Sequence, residues 1–480
     1  MYDYVIIGAG IIGTTIARQL SQYDAKVLIL EKENDVANHQ TIANSAIIHS
    51  GHDPKENTLK ARLCVEGNAL YDIMEKELNI PLLRTGAFVV AHDEKEEKML
   101  DELYIRTMAN GVKEALFYDR DRALALEPNL APNISKVLSL PTTKVTYPWE
   151  VAFACLENAI KNGVIFQKNS EVTSIRKIGD IFEVKIDYRD IIQTKSIISA
   201  AGIFADQVAD LIEKNIPYQI KPRKGEYLVL DRKAKGFIKH VIYPLPTDKG
   251  KGVLIVPQVH GNILFGPTSF VHDEKSLVSN TRDGLIQIED DIKSLAINVP
   301  LDLVIRTFAG NRSSSSYNDF YIKESIEYSN FFHVAGIDSP GLTAAPAIAR
   351  YLIEEVMKHH TLKKNEHFDP IRMKKDAFYN LDFAKQQELI KKDPRYGNVV
   401  CKCEKITEAE IVEAIHGTLG NDTVKGIKKR VRVGSGLCQG GYCEEMVLKI
   451  IARETHVSLD QINYYSLNTP VLLQETKVNW

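Results

Sequence analysis

Three groups of residues in this 480-residue chain have the types and the spacing to do chemistry. Near the start, Gly8-Ala9-Gly10-Ile11-Ile12-Gly13 sets three glycines as G-x-G-x-x-G, and Glu31 follows. The first glycine permits a tight turn, the second lets backbone approach a pyrophosphate, and the third lets helix and strand pack closely. A helix starting there turns free N–H groups and a partial positive charge toward phosphates. Glu31 stands where a carboxylate can hold a ribose 2′-hydroxyl and would repel a 2′-phosphate. This group reads as a dinucleotide site. The second group is His49, in Ala43-Asn44-Ser45-Ala46-Ile47-Ile48-His49-Ser50-Gly51. Histidine titrates near neutrality and can accept a proton from a substrate, although a lone histidine is more often a satisfied core or surface residue. The third group is Cys401-Lys402-Cys403 with Cys438-Gln439-Gly440-Gly441-Tyr442-Cys443. Four thiolates hold either a [2Fe–2S] cluster or a tetrahedral zinc. One residue between one pair and four between the other suits zinc less well. Gly434, Gly436, Gly440 and Gly441 could turn backbone N–H groups toward cluster sulfurs. Between the pairs, Lys425, Lys428, Lys429, Arg430 and Arg432 read as a solvated basic face or as a dock for an acidic redox partner.

The elements that must position these groups follow from periodicity. Tyr4–Ile7 reads as a buried strand, Thr14–Leu20 as a helix and Lys26–Leu30 as a second strand. Helices are expected over 62–78, 94–111 and 150–162, with Phe88–Val90 as a strand, and alternating runs at 164–175, 180–188 and 191–199. Ser199-Ala200-Ala201-Gly202 is a second strand-into-turn with small residues, followed by a helix near 203–214. Residues 226–322 are rich in strand-like runs (Tyr227–Leu230, Val253–Val256, Ile263–Gly266) and suggest a separate β-rich domain. Phe331–Gly336 then reads as a strand returning to the first domain, closed by a helix over Ala344–Lys358. From about 357 to 397 Lys, His, Asp and Pro dominate, which reads as a charged linker with some helix near 375–391.

Composition bounds the classes. A chain 44% hydrophobic and 26% charged is that of a globular protein, and a net charge of −3 argues against a nucleic-acid binder. No apolar run approaches the roughly 20 residues needed to span a membrane. The chain starts directly with a strand, so a cytoplasmic protein is expected, with attachment to a membrane through a partner and homo-oligomerisation left open. Cys64 and Cys155 lie isolated in apolar surroundings and read as small buried hydrophobes.

The order of the fingerprint, Asn44-Ser45-x-x-x-His49-x-Gly51, Ala200-Ala201-Gly202 and Gly336-Ile337-Asp338-Ser339-Pro340-Gly341-Leu342-Thr343 resembles the FAD-dependent D-amino-acid-oxidase-like oxidoreductases. Among them it is most similar to the type II glycerol-3-phosphate oxidases and dehydrogenases, over roughly residues 1–355. The stretch 399–450 resembles the bacterioferritin-associated-ferredoxin-like [2Fe–2S] module, which implies electron transfer. The resemblance implies an α/β architecture: a discontinuous Rossmann-like FAD-binding domain (about 1–80, 145–215 and 325–356) and a β-rich substrate domain (about 81–144 and 216–324). It further implies a linker (357–397), a small α-helical [2Fe–2S] module (398–455) and a C-terminal tail (456–480). It implies His49 as the catalytic base, with Lys251, Arg312 and Ser339 on a phosphorylated polyol. Non-covalent FAD contacts are implied at Gly8, Gly10, Gly13, Glu31, Asn44, Ser45 and Val172, and at Ala201, Gly202, Gly336, Gly341, Leu342 and Thr343. The implied reaction is oxidation of sn-glycerol 3-phosphate, electrons leaving through the cluster to a redox partner. Two departures stand out: the family has glycine where Ala46 stands, and often proline where Ser313 opens a four-serine run, which implies a looser loop around Arg312. Two rival readings remain. One is an L-2-hydroxyglutarate or other 2-hydroxy-acid or amino-acid flavoenzyme; the other is an electron-transfer subunit with no substrate of its own.

Overall fold

The computed structural model describes residues 1–187, 190–246, 252–374 and 376–474. The chain divides into two compact units, one of Met1–Lys32 and Val36–Arg372, the other of Glu33–Asp35 and Met373–Trp480. Among the described residues no helix is long and apolar enough to cross a membrane.

The first unit is built on two large sheets. In the eight-stranded one, Tyr2–Ile7 lies between Asp190–Ser199 and Val27–Leu30, parallel to both. Tyr4–Ile7 and Val27–Leu30 are continuous apolar runs with both faces covered, as a central parallel strand requires. Phe331–Ala335 returns to this sheet, parallel to Asp190–Ser199. The helix after the first strand runs Ile11–Leu20, three residues longer at its start than the sequence pattern suggests, because Gly10 already serves as its N-cap.

The nine-stranded sheet combines strands from 87–139 with strands from 220–315. It belongs to the same compact unit as the first sheet. Period-two alternation sorts its residues onto two faces. Phe88, Leu228, Leu230, Ile242 and Ile255 pack under helix Arg282–Leu295, through its Ile288, Ile292 and Leu295. Val89, Tyr227, Tyr243, Leu254 and Val256 occupy the other face.

Four local expectations need correction. Strand Tyr227–Leu230 is the end of a longer strand, Ile220–Leu230, which pairs along its length with Val304–Ser315. The serine run after Arg312 is therefore ordered strand and not a loose loop; Ser313 is buried and its hydroxyl donates to the Ile337 carbonyl at 3.0 Å. The helix expected over 203–214 is a 3₁₀ turn, Gly202–Phe204, and five residues of α-helix, Ala205–Ala209. The chain leaves the helix at Asp210, and Glu213 accepts a hydrogen bond within the fold from buried His333 at 3.1 Å. The last helix of this unit starts at Gly341 and not at Ala344, with Pro346 inside it. Proline cannot donate to the carbonyl four residues back; the Tyr71 hydroxyl donates to that Leu342 carbonyl instead, at 2.8 Å.

The second unit has a two-stranded sheet, Val399–Cys401 with Ile406–Thr407, and helices Glu408–His416, Val424–Val431 and Glu444–Thr455. They close on a core of Ile411, Ile415, Ile427, Val447 and Ile451. The first of these helices opens with a capping box between Thr407 and Glu410. In the linker region the helix is Phe383–Lys392, capped by Asp382.

Candidate active site

A cavity of about 1270 Å³ opens in the first unit. The glycine turn forms one wall. Gly8 has φ +104°, and a Cβ there would stand 2.6 Å from the Ala200 carbonyl; a Cβ on Gly13 would stand 1.9 Å from the Gly8 carbonyl. No side chain caps the helix at Gly10, and the Ile11 N–H meets the Thr41 hydroxyl at 3.0 Å. Glu31 accepts from the Ala9 N–H at 2.8 Å, which fixes its carboxylate beside the turn. Residues of the second sheet and Ser339–Leu342 line it as well.

Of the residues the sequence singles out, Gly8, Gly10, Glu31, Asn44, Ser45 and His49 line this cavity, as do Val172, Ala201, Gly202, Arg312, Ser339, Gly341 and Leu342. Gly13, Gly336 and Thr343 lie outside its lining; Thr343 is fully buried and its hydroxyl accepts from the His49 backbone N–H at 2.9 Å. Lys251 lies outside the described residues. The Asn44 amide is engaged locally, donating to the Gln40 and Thr41 carbonyls (3.0 and 2.9 Å) and accepting from the Ala46 N–H at 2.8 Å. It holds the loop that ends at Ala46, which sits at φ +64°, the left-handed region that glycine fills without strain.

Sequence reasoning misses two tyrosines. The buried Tyr243 hydroxyl lies 2.9 Å from His49 Nδ1. Burial pushes its acidity constant well above the usual phenol range, with the Asp53 charge adding to the shift, so the phenol keeps its proton. Tyr227, raised by the same burial, bonds Ser45 and Arg312 and stacks on Phe308 with ring centroids 4.5 Å apart. Nothing in Val241-Ile242-Tyr243 distinguishes a buried strand from a site residue.

In the second unit the four cysteines come as two pairs. Cys403 and Cys438 have Sγ atoms 3.9 Å apart, and Cys401 is hydrogen-bonded to Cys443. The Cys443 thiol, with the N–H groups of Gly434 and Glu404, holds Cys401 down to about 6, and Cys443 is raised as its partner. Burial of Cys438 is outweighed by the N–H groups of Gly440 and Tyr442, which lower it. Of the four glycines, Gly434 and Gly440 therefore turn N–H groups onto the sulfurs. Among the described residues no three His, Cys, Asp or Glu side chains gather around a point that one ion would occupy.

The basic residues between the pairs are not a solvated face. Lys429 and Arg430 pair with Asp35 at 2.6 and 2.7 Å, Arg432 with Glu404 at 3.1 Å, and Lys428 donates to the Gly434 carbonyl at 2.7 Å. Lys425 sits 3.7 Å from the Tyr465 ring centroid. Cys64 and Cys155 are buried as expected, and burial pushes the Cys155 thiol up to about 11.

Residues 3–355 match the FAD dependent oxidoreductase family model. The chain belongs to this family. Residues 399–453 match the BFD-like [2Fe-2S] binding domain. A glycerol 3-phosphate dehydrogenase of Caloramator mitchellensis is 40% identical over 99% of both chains. A glycerol 3-phosphate oxidase of Mycoplasma genitalium is 34% identical over 77% of this chain and 97% of its own. The dithionite-reduced, FAD-bound L-α-glycerophosphate oxidase of Mycoplasma pneumoniae superposes with a TM-score of 0.74 at 29% identity, covering 77% of this chain and 98% of its own.

The cofactors are FAD and a [2Fe–2S] cluster. The residues present fit both. The helix start at Gly10 and the two glycines that admit no Cβ make a phosphate cradle, in a cavity large enough for a dinucleotide and a small substrate. Four thiols in two pairs, fed by backbone N–H groups, are the donor set of a two-iron cluster.

Proposed function

We propose that this chain is an FAD-dependent dehydrogenase that oxidises sn-glycerol 3-phosphate to dihydroxyacetone phosphate in the cytoplasm and passes the electrons to a redox partner protein. The observation that carries the reading is that His49 and Arg312 line one cavity with the glycine turn. The relatives named above, one of them similar over its whole length, give the substrate.

Two protons and two electrons leave the alcohol. Arg312 binds the phosphate through its planar fork, which suits a tetrahedral anion. Ser339, which lines the same cavity, completes that end of the site. His49 takes the C2 hydroxyl proton at Nε2. For Nε2 to be bare, the ring hydrogen must sit on Nδ1 and be donated to the Tyr243 oxygen, 2.9 Å away. Thr343 holds the His49 backbone at the same time. As the proton leaves, the C2–O bond becomes a carbonyl and the C2 hydrogen departs with its electron pair. Bound FAD supplies the acceptor for that hydride, and the [2Fe–2S] cluster supplies a one-electron exit.

Anaerobic bleaching of the flavin absorbance tests the reading. Rapid bleaching by glycerol 3-phosphate and none by L-2-hydroxyglutarate is expected. Bleaching by the hydroxy acid alone would move Arg312 from a phosphate to a carboxylate, and bleaching by neither would sink the substrate assignment.

A further inference from the structure

We infer that Arg223 is a second cation for the substrate's anionic group, forming with Arg312 a paired site for a tetrahedral dianion. The two arginines are direct partners in the register between Ile220–Leu230 and Val304–Ser315. Residues opposite each other in an antiparallel ladder emerge on the same face with Cβ atoms about 4.5–5.5 Å apart, and like charges there repel. Both side chains line the cavity. Among the described residues neither forms an ion pair, and the Arg223 Nε is buried without a hydrogen-bond partner. Among the described residues Arg312 meets uncharged oxygens, the Thr268 carbonyl at 3.5 Å and the Tyr227 hydroxyl.

The neighbouring lysine does not share this arrangement. Lys224 points to the opposite face and is paired with buried Glu226 at 2.8 Å. The fold thus neutralises the cation it buries away from the cavity and leaves two uncompensated on the cavity side. Gly225 supports the same geometry. A Cβ there would stand 2.9 Å from Arg312 Nη2 and 2.7 Å from Pro267 Cβ, so the guanidinium lies along bare backbone. Two adjacent guanidinium groups, one with a buried unpaired N–H, are stabilised together by an anion of charge two. Two dianions could reach this cavity, a substrate phosphate and the FAD pyrophosphate. We assign the first, because Arg223 is paired with Arg312, whereas the glycine turn serves the pyrophosphate.

The turnover part of the test rests on the glycerol 3-phosphate reading; the binding part does not. FAD-loaded enzyme is titrated with sulfate, a dianion at all working pH values, and followed by the flavin spectrum. Wild type is expected to bind sulfate competitively with substrate. Arg223→Gln should weaken sulfate binding about 10- to 100-fold and raise the KM for glycerol 3-phosphate similarly, with kcat changed much less and FAD content unchanged. Arg223→Lys should recover part of both. Unchanged sulfate affinity in Arg223→Gln overturns the inference, as does a wild type that binds no sulfate. Loss of FAD from Arg223→Gln, with normal sulfate affinity after reloading, overturns it in favour of the pyrophosphate. Should Arg223→Gln fail to fold, Arg223→Lys carries the test alone, weaker sulfate binding supporting the inference and unchanged binding overturning it. A wild type that binds sulfate but is not bleached by glycerol 3-phosphate would defeat the proposed substrate and leave the anion pair standing.

Discussion

A histidine can serve as a base only from a bare ring nitrogen, and at His49 the neighbour decides which nitrogen that is. Replacing His49 with Asn should leave FAD bound and lower turnover by roughly 10²–10⁴-fold. Turnover near that of wild type, measured at saturating substrate, would remove His49 as the base. Replacing Tyr243 with Phe deprives the Nδ1 hydrogen of its acceptor and favours the tautomer with the hydrogen on Nε2. A fall in kcat of about 10-fold or more, with KM and FAD content little changed, is expected. An unaltered kcat would show that Tyr243 only fills space. Ala46 makes a different kind of prediction. An alanine in the left-handed region costs about 1–2 kcal/mol, partly offset because glycine has more unfolded-state freedom to lose. Ala46→Gly should therefore raise stability by about 0.5–1 kcal/mol in urea titration; a destabilised variant would mean the loop holds Ala46 by contacts that outweigh its backbone strain. His49 was singled out in the sequence because polar residues interrupt an apolar run there, and its role as base came from the resemblance. Tyr243 was not, because its role depends on a strand nearly 200 residues away pairing into place.

At the scale of elements, the parts closest to a local rule were read well and the parts that depend on pairing were not. The glycine turn carries its own geometry, so strand, turn and helix follow from thirty residues. Strand Val304–Ser315 does not announce itself, since Gly310-Asn311-Arg312 and four serines have the composition of a loop. Its strand character comes from Ile220–Leu230 alongside it, and that partner is itself disguised by Lys221-Pro222-Arg223-Lys224-Gly225. The arginine pair exists only in that register, so nothing in the linear order of Arg223 and Arg312 points to it. The fingerprint gives the cleaner test. A Cβ on Gly13 would meet backbone at Gly8, which cannot move aside as a flexible side chain could. Gly13→Ala should thus force the helix away from the strand and lower FAD affinity at least about 10-fold, read as flavin content after purification and as a Kd on reconstitution. Retention of FAD at the wild-type level would show that the turn tolerates a shift the static geometry does not suggest.

For the molecule as a whole, the question is what a one-electron centre adds to a unit that already holds a two-electron cofactor. The two units have separate cores, and Cys401, Cys403, Cys438 and Cys443 all belong to the second. Flavin reduction by substrate should therefore be independent of the cluster, while delivery to a one-electron acceptor should not. The cysteine spacing was legible from the start, and the choice between iron and zinc turned on what the spacing alone leaves open: sulfurs arranged in two pairs under backbone N–H groups, and a matching domain family. Changing Cys401 and Cys403 to Ser removes one sulfur from each pair. The variant should lose its iron, which in wild type should approach about two per chain by metal analysis. Anaerobic bleaching by glycerol 3-phosphate should keep its wild-type rate, and steady-state turnover with a one-electron acceptor should fall at least about 10-fold. Turnover that survives would mean that the acceptor draws directly on the flavin and the cluster is not on the route. Zinc in place of iron in the wild-type protein would remove the relay altogether and leave the second unit a structural one. Loss of flavin bleaching together with the iron would show instead that the two units are thermodynamically coupled, so that the cluster holds the first unit in its active form as well as draining it of electrons.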